Sequence, residues 1–142
     1  MKEPKDIFDC IEYLKSTSQF IIDTRAALCA SQGLNYIQGL VFLDIGHNPS
    51  SKITDICKRL NKKTSTISPL IHKLIDKNLI EKSHGDDNRV YEVNLTEKGI
   101  AVMESINNEL GDFAIPRFEK LTDKEFYELL QALKKFNKVC VY

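Results

Sequence analysis

The 142-residue chain is short of the materials that covalent and metal chemistry need. It has three His (His47, His72, His84) and four Cys (Cys10, Cys29, Cys57, Cys140), scattered and without a C-x-x-C pair, so neither a structural metal site nor a disulfide framework is expected. Its six Gly form no Gly-rich phosphate loop, and neither G-x-S-x-G nor H-E-x-x-H occurs, which argues against an enzyme and against a bound cofactor. No apolar run approaches the roughly 20 residues of a membrane span, and the Met1-Lys2-Glu3-Pro4 start does not read as a secretory signal. A cytoplasmic protein with no membrane partner is expected. Net charge is also lacking, with 20 basic side chains against 20 acidic ones, which taken whole argues against nucleic acid. What remains is a globular mixture, 42% hydrophobic and 28% charged, long enough for one domain with a real core.

The distribution of charge says more than its sum. Residues 52 to 82 hold eight basic and three acidic side chains, net +5, and the rest of the chain is net −5. Within that basic stretch Ile53, Ile56, Cys57 and Leu60 recur at i, i+3, i+4 and i+7. They make one helix with Lys52, Lys58 and Arg59 left toward water and Cys57 as a small core residue. After a polar connector, Asn61 to Thr64, a second helix from Ser65 to Asn78 repeats the pattern with Ile67, Leu70, Ile71, Leu74 and Ile75. Its opposite face carries Ser65, Pro69, His72, Lys73 and Asp76, with Thr64, Thr66 and Ser68 near its start. Small hydroxyls at a helix N-terminus, an imidazole and an ammonium suit close approach to a polyanion: backbone amides meet phosphate, and Ser, Thr and His reach base edges. The plainer reading of the same residues is ordinary caps on a solvated face.

Two short β patterns follow, Leu79 to Ser83 and Arg89 to Leu95, joined by the turn Gly85-Asp86-Asp87-Asn88. In the second, Tyr91, Val93 and Leu95 share one side. Helix, connector, helix and hairpin is the order of a winged helix-turn-helix. Asp87-Asn88-Arg89, the strand after it and Leu95-Thr96-Glu97-Lys98-Gly99 resemble the MarR (multiple antibiotic resistance regulator) transcription factors, as do Ile56 to Leu60 and Leu74 to Lys82. The resemblance implies that Arg89 enters the minor groove of double-stranded DNA while Asp87 holds its guanidinium.

The flanks fit the same scheme. Asp6 to Ala30 reads as one helix with two overlapping apolar stripes, able to touch its own domain and another subunit. Leu34 to Ile45 is a shorter apolar helix, and Pro49-Ser50-Ser51 opens the DNA module with a stub strand. Glu97 to Leu110 reads as helix interrupted near Gly111 and Pro116. Leu121-Thr122-Asp123 caps a last helix, Lys124 to Val139. The expected architecture is therefore mainly α with a small β-hairpin: a single MarR-like domain over 1–142, in which 49–99 is the winged-helix module and 1–48 and 100–142 are dimerisation and connecting helices.

The resemblance further implies a homodimeric repressor of a palindromic operator, relieved by a small aromatic or anionic effector or by thiol oxidation. Phe20, Tyr36 and Phe42 are the candidate effector contacts, each also explicable as plain core. Cys10 is the candidate redox residue, with Tyr13 and Tyr36 nearby and Pro69 placed as in the organic-peroxide-sensing branch. Asp6, Asp9 and Glu12 around Cys10 disfavour the thiolate, so a buried structural Cys10 is the default. The competing class is a winged helix that contacts protein instead of DNA, which the zero net charge favours.

Overall fold

The computed structural model describes residues 1–84 and 90–141. Its elements are α1 (Pro4–Ser31), α2 (Tyr36–His47), β1 (Ser51–Lys52), α3 (Ile53–Leu60), α4 (Thr64–Asp76), β2 (Ile80–His84), β3 (Tyr91–Leu95), α5 (Glu97–Phe118) and α6 (Asp123–Val141). Mainly helical with a small hairpin, this is the expected fold class. The expected turn Gly85 to Asn88, Asp87 and Arg89 with it, lies outside the described residues. Residues 1–107 make one compact unit and 108–142 a second. No helix among the described residues is long and apolar enough to cross a membrane.

The first unit is organised around α2, which is apolar on every side and packs against α1, α3, α4 and β3. Val41, Phe42 and Ile45 of α2 are fully buried with Ile56 of α3, Ile67, Ile71 and Leu74 of α4, Ile80, Val93, and Ile106 of α5. The sheet has the order β1-β3-β2, all antiparallel, with Ser51 opposite Val93 and Ile80 opposite Leu95. The stub strand thus exists, starting two residues later than expected. It places the start of α3 on the same sheet as the wing strands.

Helix ends follow local chemistry. Pro4 opens α1 with Glu3 as N-cap, two residues before the expected start. α2 starts at Tyr36 rather than Leu34 because Asn35 and Gln38 form a capping box: the Gln38 amide donates to Asn35 Oδ1 (2.9 Å) and the Asn35 amide to Gln38 Oε1 (3.1 Å). Asn61 (φ 51°) and Asn78 (φ 59°) end α3 and α4 in the left-handed region, which asparagine tolerates.

α5 corrects the expected interruption: it runs unbroken through Gly111 and Pro116. Pro116 lies two residues from the helix end, so its missing N–H removes a single bond of the last turn. In the second unit a capping box opens α6, the Glu125 amide donating to Thr122 Oγ1 (3.2 Å) and the Thr122 amide to Glu125 Oε2 (2.8 Å). Phe118, Phe126 and Tyr127 stack edge to face, at 5.7 and 5.2 Å between successive centroids.

Candidate nucleic-acid interface

The interface candidate is the outer face of α4. Ile67, Leu70, Ile71 and Leu74 are buried against the core, which forces Ser65, Thr66, Pro69, His72, Lys73 and Asp76 to the opposite, exposed face, with Ser68 half-buried at its margin. Thr64 is also exposed, but it is the first residue of α4 rather than part of the connector. Lys63 is the N-cap and supplies no side-chain cap, so the Thr64 and Ser65 amides, ahead of the bonds that Thr66 and Ile67 make to the Lys63 carbonyl, are left for an outside acceptor, and Lys62 and Lys63 stand exposed beside them. Pro69, on the same face, cannot donate to the Ser65 carbonyl. The predicted residues are therefore brought together on one surface: amides and hydroxyls at one end, an imidazole and an ammonium one to two turns further along.

The wing strands frame this helix. β2 and β3 pair from Ile80–Leu95 out to His84–Tyr91. Lys82 Nζ lies 4.5 Å from the centre of the Tyr91 ring, and His84 meets that ring edge-on. Partial burial raises the Tyr91 pKa, keeping its hydroxyl protonated. At the base, Thr96 Oγ1 donates to the Asn78 carbonyl (2.6 Å) and accepts from the Gly99 amide (3.0 Å), tying the end of α4 to the start of α5. That is the structural content of the Leu95-Thr96-x-x-Gly99 pattern.

One arrangement beside this surface is not marked in the sequence. Arg59, expected to face water, donates from Nε (3.0 Å) and Nη2 (2.8 Å) to the two carboxylate oxygens of Asp44 on α2, and from Nη2 to Ser51 Oγ (2.6 Å) in β1. Hydrogen bonding to Asp44, against a smaller opposing effect of burial, raises the Arg59 pKa above its ordinary value. Nothing in the periodicity marks Asp44 as its partner, because the pair is joined only by the packing of α2 on α3. Cys57 is half-buried, with Sγ 3.8 Å from Thr64 Oγ1 across the turn between α3 and α4.

The remaining candidates do not converge. Phe42 is fully buried in the core, while Phe20 is 46% and Tyr36 52% exposed. Of the three, Tyr36 alone lines a pocket of about 200 Å³, with Arg25, Cys29, Leu43, Asp44 and His47. Cys10 is exposed, which corrects the default of a buried structural thiol; the buried cysteine of α1 is Cys29. Burial pushes the Cys29 thiol pKa up, partly offset by Arg25. The apolar character of α1 on several faces hid this difference from a periodicity argument. No group of three or more His, Cys, Asp or Glu able to hold a metal occurs among the described residues.

Residues 34–99 match the family described as winged helix DNA-binding domain. The HTH-type transcriptional regulator SarZ of Staphylococcus epidermidis is 27% identical over 123 residues, covering 84% of this chain and 80% of SarZ. Across curated relatives the match spans 62 to 80% of their own length. Wild-type MarR of Escherichia coli in its apo form superposes with a TM-score of 0.72 at 20% identity, over 88% of this chain and 93% of that one. Streptococcus pneumoniae FabT in complex with DNA superposes with a TM-score of 0.75 at 18% identity, over 94% and 96%. This chain therefore carries a winged helix DNA-binding domain over residues 34–99, and its fold is that of the MarR structures it resembles.

Proposed function

We propose that the protein is a DNA-binding transcriptional regulator: a homodimer that binds a palindromic operator and represses until a signal relieves it. The observation that carries this reading is the α4 face, where an uncapped helix N-terminus, Ser65, Thr66, Pro69, His72 and Lys73 share one exposed surface beside Lys62 and Lys63. Phosphate contacts by the amides and lysines position the protein, and the short side chains read base edges in a major groove. Asp87 and Arg89 fall at the wing tip in the sequence, where an arginine paired to an aspartate suits a narrow minor groove. FabT, a protein of the same fold, forms a complex with DNA, which supports DNA as the partner.

Dimerisation is supported by apolar surface left uncovered in one chain. Phe8 (65%) and Tyr13 (75%) on α1, and Tyr127 (60%) and Val139 (74%) on α6, are among many large hydrophobics exposed to solvent. A two-fold dimer sets two α4 helices about one helical turn of DNA apart, which reads an inverted repeat. For the signal, the pocket beside Tyr36 and Arg25 suits a small anionic or aromatic effector, and the exposed thiol of Cys10 suits oxidation. A cytoplasmic location follows from a DNA target.

The experiment is selection of bound duplexes from a random pool, followed by mobility shifts of the selected site over a salt series. A regulator yields an inverted-repeat consensus and an affinity that falls steeply with salt. Failure to enrich any sequence, with no binding at low salt, moves the protein-contact reading ahead, the one that zero net charge favours.

A further inference from the structure

We propose that the Asp44–Arg59–Ser51 clasp is a positioning device for sequence-specific DNA reading, a role that rests on the DNA-binding function proposed above. Arg59 sits in the last turn of α3 inside the basic stretch, where an arginine would ordinarily serve as a free phosphate contact. Here its guanidinium is already committed. Two donors fork onto the Asp44 carboxylate and one of them also reaches Ser51 Oγ, with the Asp44 side chain 9% exposed and that of Arg59 33%.

The clasp belongs to a continuous polar chain. Asn48 donates through its amide and Nδ2 to the Asp44 carbonyl (3.0 and 2.9 Å), Ser51 Oγ donates to the Asn48 carbonyl, and the Ser50 amide donates to Asn94 Oδ1 (2.7 Å) on β3. It therefore links α2 and α3, which pack against α4, to β1 and to β3 of the wing sheet. The rest of the contact between α2 and α3 is apolar, and apolar contact is non-directional: it holds the helices together without fixing their rotation. A bidentate arginine–carboxylate pair has one geometry. Reading base edges demands that geometry, because contacts to both halves of an inverted repeat must form together. Nonspecific binding to phosphates tolerates small tilts.

The test uses the full-length protein, the selected operator and a scrambled duplex, with dissociation constants measured by fluorescence anisotropy and folding checked by thermal melts. Asp44→Asn removes a negative charge and Arg59→Met a positive one, so simple electrostatics moves their nonspecific affinities in opposite directions. Positioning predicts that both lower the operator-to-scrambled affinity ratio by about tenfold, the worth of a charge-assisted hydrogen bond. Ser51→Ala, which removes one bond and no charge, should lower it about threefold and serves where Arg59→Met does not fold. Ratios within twofold of wild type in the folded variants, whatever happens to the absolute affinities, overturn the proposal and leave Arg59 a structural or phosphate-contacting residue. A wild-type protein that binds neither duplex at low salt overturns the DNA-binding reading itself, and the clasp's role with it.

Discussion

Replacing Gly99 by Ala tests whether the corner between α4, β2 and α5 is as tight as its geometry requires. A methyl at Gly99 would be driven into the Leu79 carbonyl oxygen, and would lie 3.1 Å from the Leu79 carbonyl carbon and 3.3 Å from Leu95 Cβ. The Leu79 oxygen cannot retreat freely, because it accepts the Thr96 amide at 3.1 Å and the preceding Asn78 carbonyl accepts Thr96 Oγ1. Overpacking of this kind costs about 1–3 kcal/mol. Breaking the Thr96 bond adds about 1 kcal/mol. Alanine returns at most about 1 kcal/mol of helix propensity, less in a first turn. The net loss is about 1–3 kcal/mol, a fall in Tm of roughly 3–10 °C for a chain of this size. Gly111→Ala is the internal control: its methyl meets only Ile115 Cδ1 at 3.8 Å, so the propensity term stands alone and the helix gains up to about 1 kcal/mol. Circular dichroism melts at one fixed protomer concentration read both. A Gly99→Ala protein melting at or above wild type would refute the reasoning.

Other consequences are open to direct measurement. Arg89→Ala should weaken operator binding by roughly 2–6 kcal/mol for a two-fold dimer and flatten its salt dependence without changing the melt; wild-type affinity and salt slope would remove the wing from the interface. Lys73→Ala should weaken binding almost equally on all duplexes, so a loss confined to one sequence would reassign Lys73 from phosphate to base. Deleting residues 124–142 should give monomers or aggregates by light scattering, and a well-folded dimer of the shortened chain would place the interface elsewhere. Cys29 should resist a thiol reagent at neutral pH while Cys10 reacts, since burial raises the Cys29 pKa and blocks access. Cys10→Ser should abolish any peroxide response while binding operator normally, and equal responses in mutant and wild type would exclude Cys10 as the sensor.

Local pattern was enough for the exposed face of α4. Period 3.6 in Ile67, Leu70, Ile71 and Leu74 decides which way Ser65, Pro69, His72 and Lys73 point, because burying one face of a helix exposes the other whatever lies beneath it. Alternation likewise located the two wing strands, and Leu121-Thr122-Asp123 marked the start of α6. Such features depend on a few consecutive residues and survive changes of tertiary context.

Other features depended on which surfaces meet. Arg59 looks solvent-facing in its own helix, and its commitment to Asp44, fifteen positions earlier, exists only because α2 and α3 pack side by side. Cys10 and Cys29 lie on one helix that is apolar on several faces, so periodicity could not say which thiol is buried; the approach of α2, with Gly39 making room for the Cys29 side chain, decided it. Pro116 read as a break because its missing donor is a local fact, while the tolerance of α5 for it came from its distance to the helix end. The sequence by itself determined most of the elements, the amphipathic face of α4 and the basic stretch around it, since these follow from backbone periodicity and side-chain transfer energy. The tertiary structure alone decided the pairing of distant charges and the burial of particular thiols, because directional polar bonds form only once nonlocal packing has brought their partners within about 3 Å.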